Sequence, residues 1–137
     1  MDKHTPEQRK KNMQAVRAKD SKIEVILRKA VWEKGMRYRK NYTKIIGKPD
    51  IAFPSKKIAV FCDSEFWHGY DWENRKQDIK SHQDFWIQKI ERNIARDEEV
   101  NAELKKLGWK VLRFWGKDIL KKTETCAKKI FKEWNRA

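Results

Sequence analysis

Two short apolar runs, Ile51 to Phe53 and Ile58 to Cys62, flank the turn-forming stretch Pro54-Ser55-Lys56-Lys57. This pattern predicts two strands joined as a hairpin within a buried sheet. Acids mark its ends: Asp50 opens the first strand, and Asp63 and Glu65 close the second. Strand side chains alternate faces, so Asp63 and Glu65 are expected on one side and Ser64 on the other. Antiparallel pairing sets the start of one strand beside the end of the next. Asp50, Asp63 and Glu65 are therefore expected to converge at one edge of the sheet.

Crowded carboxylates repel each other and are costly to desolvate, and a hard divalent cation is the usual remedy. A lone acid at a strand end is ordinarily a cap or the partner of a nearby lysine. Here the Pro-Asp turn, the Asp-x-Glu pair and the following His68 occur together, which favours a metal site. Mg²⁺ takes oxygen ligands and suits phosphate chemistry. The charge points the same way, since a net +14 over 137 residues implies a polyanionic partner. Nucleic acid comes first, with ribosomal or membrane surfaces behind it. With 39% hydrophobic residues and seven tryptophans, disorder is excluded and one domain with a real core is expected. No apolar run reaches the ~18 residues of a membrane span, and the N-terminus has no apolar signal core. The expectation is a cytoplasmic protein that does not enter membranes.

Residues 1 to 19 carry Lys3, Arg9, Lys10, Lys11, Arg17 and Lys19 against Asp2 and Glu7. Pro6 after Thr5 permits a short basic helix over about 6 to 18, although composition alone suits a solvated tail. A helix comes next, with Asp20 or Ser21 as N-cap, Glu24 in its first turn, an apolar face of Ile23, Leu27, Ala30 and Val31, and Gly35 as its stop. Arg37 to Tyr42 reads as a strand, and Gly69 to His82 as a loop interleaving aromatic and basic residues. The longest helix spans 82 to 107, with Trp86, Ile87, Ile90, Ile94, Val100, Leu104 and Leu107 on one stripe. Asn93, Asp97 and Asn101 interrupt that stripe and need polar partners. Trp109 to Trp115 reads as a strand, and Thr123 to Trp134 as a final helix burying Cys126, Ala127, Ile130, Phe131 and Trp134. Cys62 and Cys126 have no CxxC spacing and read as core residues.

Pro49-Asp50, an interval of twelve residues and Asp63-x-Glu65 resemble the PD-(D/E)XK nuclease core, with glutamate in the usual place of lysine. Asp63-Ser64-Glu65-Phe66-Trp67-His68-Gly69 is closer still to the Asp-Gly-Cys-Phe-Trp-His-Gly segment of very short patch repair (Vsr) endonucleases, which nick DNA beside a T:G mismatch. The similarity continues through Phe85-Trp86-x-x-Lys89-Ile90-x-x-Asn93-x-x-Arg96-Asp97 and covers roughly residues 8 to 117.

The resemblance implies an α/β, restriction-endonuclease-like fold with a central mixed β-sheet flanked by helices. It divides the chain into a DNA-embracing arm, 1–19, and a single nuclease domain, 20–137. Met13, in Lys11-Asn12-Met13, would enter the minor groove, and Phe66, Trp67 and Trp86 would wedge between base pairs. Lys89 and Asn93 would read the mispaired bases, Glu24 would lean over the active site, and Asp97 would be a hydrogen-bond hub. One or two Mg²⁺ would be held by Asp50, Asp63 and the backbone carbonyl of Cys62. Glu65 would orient the water or ligate metal, and His68 suits general acid–base work.

Two departures stand out. The positions where these enzymes carry zinc ligands hold Glu65, Gly69, Tyr70, Asp71 and Trp72, which offer no thiolate, so no structural zinc is expected and the loop must be held by packing. Where that segment has aspartate, as Asp63 is here, the best-known members carry histidine, and they carry cysteine at the position of Glu65, which leaves open whether carboxylates or histidines transfer the proton. The implied partner is double-stranded DNA with a T:G mismatch, with mismatch-repair proteins as candidate partners. A monomer in the bacterial cytoplasm, at the nucleoid, suffices for nicking. The competing readings are a restriction-type nuclease of the same fold and a non-cleaving DNA-binding module.

Overall fold

A computed structural model of the chain describes residues 21–76 and 83–137; the expected basic arm, with Met13, lies outside them. Helix α1 (Lys22–Glu33) starts after Ser21, whose backbone N–H donates to Glu24 Oε2 at 3.0 Å. That reach-back satisfies one of the amides a helix start leaves open. Strand β1 (Arg39–Lys40) is shorter than the expected 37–42 and both its residues are exposed, as suits a sheet edge. β2 (Ile51–Phe53) and β3 (Ile58–Asp63) form the expected hairpin, Ile51 pairing with Val60 and Phe53 with Ile58.

The chain then crosses over through α2 (Trp72–Arg75) and α3 (Gln83–Lys106) to β4 (Lys110–Trp115), which runs parallel to β3. Parallel pairing demands such a crossover. The sheet order is β1-β2-β3-β4, mixed in direction. α4 (Gly116–Lys121) and α5 (Thr123–Arg136) complete the described chain. No sequence pattern signals the short α2 and α4: α2 falls inside the charged loop, and α4 begins directly where β4 ends, with no turn signal between them.

Alternation along the strands divides the core. Ile58, Val60 and Cys62, with Ile51, Phe53 and Phe114, pack against Leu27 and Val31 of α1, Ile119 of α4, and Cys126 and Ile130 of α5. Ala59 and Phe61 face the other way, onto Val100 and Leu104 of α3. The sheet is thus covered on both faces, and β3, buried at all six positions, is its centre. Leu107 departs from the expected stripe and is 56% exposed, because α3 ends at Lys106 and the next residue leaves the helical period. Among the described residues no helix is long and apolar enough to cross a membrane.

Candidate active site

A cleft of about 880 Å³ opens where β3 and β4 end, between the start of α1 and the middle of α3. Asp50, just before β2, is fixed at both its ends. Its Oδ2 accepts the Cys62 N–H at 2.7 Å. Its carbonyl accepts from the Asn41 N–H at 3.1 Å and from Arg28 Nε and Nη2 at 3.3 and 3.1 Å. Glu24, almost fully buried on α1, is hydrogen-bonded to the same Asp50 side chain. Burial, the bond to Glu24 and its charge push the Asp50 carboxyl from 3.8 up to about 8, against the Cys62 amide and Arg28. Two buried acid side chains therefore meet at this point. Two acids so placed form a hard oxygen pair of the kind a divalent cation takes.

Asp63 closes β3 and is 5% exposed. Arg113 Nη1, from β4, donates to its two oxygens at 3.0 and 3.2 Å. His68 Nδ1 stands 3.6 Å from Asp63 Oδ1 and 2.6 Å from Asp97 Oδ2. Asp63, His68 and Asp97 each offer an atom, all within 4.8 Å of one another, so this group too has the composition of a metal site. Burial raises the Asp63 pKa, with His68 and Arg113 opposing. Burial lowers that of His68, but the bond to Asp97 and the charge of Asp63 outweigh it and the net shift is upward. Asp97 thus meets the imidazole through a hydrogen bond and the guanidinium through an ion pair at 3.5 Å.

Glu65 does not join these acids. β3 ends at Asp63 and the chain enters a turn, so the alternation that would align Glu65 with Asp63 stops. Its Oε1 instead accepts the Lys117 N–H at 2.6 Å, at the start of α4. An acid there meets the positive end of a helix. Of the three acids expected to converge, Asp50 and Asp63 line the cleft, and Glu24 lines it with them while Glu65 does not.

Beside the cleft lies an aromatic ledge. Phe66, Trp67 and Trp86 meet edge to face, with ring centroids 5.0 to 5.7 Å apart. Phe85 adds a fourth ring against Trp86 at 5.0 Å. Exposure separates them: Phe66 is 44% and Phe85 56% exposed, whereas Trp67 is 6%. Lys89 Nζ lies 5.6 Å from the Trp67 ring centre, and Asn93 Nδ2 donates to the Trp67 carbonyl at 3.0 Å. Lys22, Lys48 and Arg96 rim the cleft.

Sequence patterning singles out none of Arg28, Asn41, Arg113 and Phe85 as site residues. A signal exists for one of them: Arg113 is a charge inside the apolar run Val-Leu-Arg-Phe-Trp, which a buried partner explains.

The family model described as "DNA mismatch endonuclease Vsr" matches residues 1–74. The chain is 58% identical over 130 residues to Type II nicking enzyme V.NmeDIP of Neisseria meningitidis serogroup C, covering 95% of this chain and 88% of that one. It is 55% identical to Type II nicking enzyme V.HpaIIP of Haemophilus parainfluenzae, over 96% of this chain and 94% of that one. DNA mismatch endonuclease Vsr of Escherichia coli is 31% identical, over 83% and 72% respectively.

Proposed function

This chain belongs to the Vsr family and is a DNA endonuclease, and from that premise we propose that it nicks one strand of double-stranded DNA beside a T:G mismatch, using Mg²⁺. The observation that carries the reading is the Glu24–Asp50 pair, set in a cleft rimmed by Lys22, Lys48 and Arg96 and flanked by an exposed aromatic ledge. Nucleases of this family use a divalent metal, and the donors fit one, since two adjacent carboxyl groups and a backbone carbonyl form a hard oxygen set. Asp50, Glu24 and the Cys62 carbonyl would hold it. Asp63, the other ligand expected from the sequence, is engaged by Arg113. When bound, Mg²⁺ supplies Lewis acidity and offsets charge on the phosphorane-like transition state.

The chain's own residues do the remaining work. His68 binds Asp97 through Nδ1, which leaves Nε2 to exchange a proton with the water or the leaving oxygen. Its raised pKa keeps it protonated closer to neutrality, as a general acid requires. Glu65 holds the turn carrying Phe66 to His68 against α4 rather than handling the proton. The lysines and Arg96 at the rim pair with backbone phosphates and set the duplex in register.

Phe66, exposed and backed by two rings, is the residue placed to enter a base step; Trp67, buried beneath it, serves as the platform, and Trp86 as the flank. Unstacking costs a few kcal/mol and is cheapest at a mispair, so a wedge of this kind favours mismatched DNA. Asn93 holds the Trp67 carbonyl through its amide nitrogen and keeps an oxygen for a base edge, with Lys89 alongside. The basic arm with Met13 is proposed to embrace the duplex from the minor groove. One site cuts one strand, so a monomer suffices.

A supercoiled plasmid with and without a single T:G mispair tests this reading. It predicts an open-circular product from the mismatched plasmid alone. Equal cutting of both would favour the restriction-type nuclease, which the acidic Asp63 makes the stronger competitor. Binding without cutting under any metal would favour the non-cleaving module.

A further inference from the structure

The Asp63–His68–Asp97 group has the composition of a cation site, yet a cation of the protein's own stands in it. Arg113 Nη1 lies 3.0 and 3.2 Å from the two oxygens of Asp63 and 3.5 Å from Asp97 Oδ1. The guanidinium is held from behind as well. Its Nε donates to Asn101 Oδ1 at 2.7 Å, and its Cζ lies 4.1 Å from the centre of the Phe61 ring. Arg113 pairs in register with Phe61 across the parallel β3–β4 ladder, so its placement is set by two paired strands and by α3 rather than by a loop. Its side chain is 18% exposed and that of Asp63 7%, so solvent screens the pair little. The imidazole nitrogen nearest the group is already committed to Asp97.

An arginine keeps its charge at every working pH. A divalent ion entering this group would share its carboxylates with a fixed positive charge and would have to displace His68 from Asp97. The Glu24–Asp50 end differs. Arg28 there donates to the Asp50 backbone carbonyl and to Asn41, and stands 3.6 Å from the Glu24 carboxylate.

We infer that Arg113 is a built-in cation that fills the Asp63–His68–Asp97 group in place of a metal, so that the divalent ion is confined to Asp50, Glu24 and the Cys62 carbonyl. This rests on the metal-dependent reading above. Arg113 then acts as a positioning residue: it fixes Asp63 and Asp97, and through them the imidazole of His68.

The test counts Mn²⁺ bound to the full chain without DNA, by electron paramagnetic resonance of the free ion. Wild type is expected to bind a single Mn²⁺ per chain. Asp50→Ala should weaken that binding by ~10-fold or more, while Asp97→Asn leaves it unchanged. Arg113→Gln should gain a second Mn²⁺, lost again in Arg113→Gln/Asp97→Asn, whereas Arg113→Lys keeps the single one. The inference is overturned if wild type already binds a second Mn²⁺ that Asp97→Asn removes, or if folded Arg113→Gln gains none. Should Arg113→Gln fail to fold, Asp97→Asn on the wild-type background decides alone. Failure of the metal-dependent reading has another signature: Asp50→Ala would then still nick and still bind Mn²⁺ as wild type does, while gain of a site in Arg113→Gln would stand.

Discussion

Gly69 comes directly after His68 and sits where the turn from β3 presses on α3. Its φ is +68°, and a Cβ added there would lie 2.3 Å from Ile94 Cδ1, 2.8 Å from Ile94 Cγ1 and 3.3 Å from Ile90 Cγ2. Ile90 is 1% exposed and has nowhere to retreat. Gly69→Ala therefore incurs two costs. The left-handed backbone costs an alanine about 1–2 kcal/mol, and the clash adds about 1–3 kcal/mol of overpacking. The sum is about 2–5 kcal/mol. With an unfolding entropy near 2.1 cal/mol/K per residue, a chain of this length loses about 3.5 °C per kcal/mol, so Tm should fall by roughly 7–17 °C. Thermal unfolding followed by circular dichroism reads this directly. On an Ile94→Ala background both nearest atoms are gone, and Gly69→Ala should then cost only the backbone share, about 1–2 kcal/mol. Well below either Tm, nicking should still drop, because the displaced turn carries Trp67 and His68, and a shift of ~1 Å can cost ~100-fold in rate. A Tm within about 2 °C of wild type would refute the packing described for this turn.

Three further outcomes are expected of the site. Asp50, at about 8 in the folded chain against 3.8 unfolded, holds a proton that the unfolded chain has lost across that window, so without metal its contribution to stability is present below the lower value and is lost as pH rises through the upper one. Urea titrations in EDTA at pH 5 and pH 8 should show this fall in wild type, and Asp50→Asn should flatten it. Asp97→Asn removes the charge, and weakens the hydrogen bond, that raise His68, so the alkaline limb of the nicking profile should move to lower pH; an unmoved limb would take His68 out of the proton transfer. Phe66→Ala should leave Tm nearly unchanged yet weaken binding to mismatched DNA by an amount worth about 1–3 kcal/mol of stacking. Trp67→Ala should instead cost about 3–5 kcal/mol of stability, because that ring is buried.

The hairpin, the long helix and the last strand are legible in the sequence because each carries its own signal: unbroken apolar runs for β2 and β3, threefold and fourfold spacing for α3, and a glycine before β4. Asp50, Asp63, His68 and Glu24 are legible as cleft residues through their spacing and their likeness to a family motif. Glu65 is misplaced by the sequence reading because alternation holds only as far as β3 does, and the strand's end is set by tertiary packing rather than by its own residues. The place of Glu65 is decided by α4, a helix of six residues too short to announce itself in a pattern. Arg28, Asn41 and Arg113 lie 22, 9 and 50 residues from the aspartates they fix, and no local period links such distant positions. Trp67 and Phe66 are adjacent in sequence, alike in chemistry and both packed on Trp86, yet one is buried and the other exposed, a difference that tertiary structure alone decides.

The central claim is a metal-dependent nick directed by a mispair. A labelled duplex carrying one T:G mispair, and its fully matched counterpart, should be incubated with wild type and with Asp50→Ala, in Mg²⁺ and in EDTA. The account predicts a single nick beside the mispair in wild type with Mg²⁺, and none with EDTA, with Asp50→Ala or on the matched duplex. Equal cutting of the matched duplex, or a nick that survives Asp50→Ala, would contradict it.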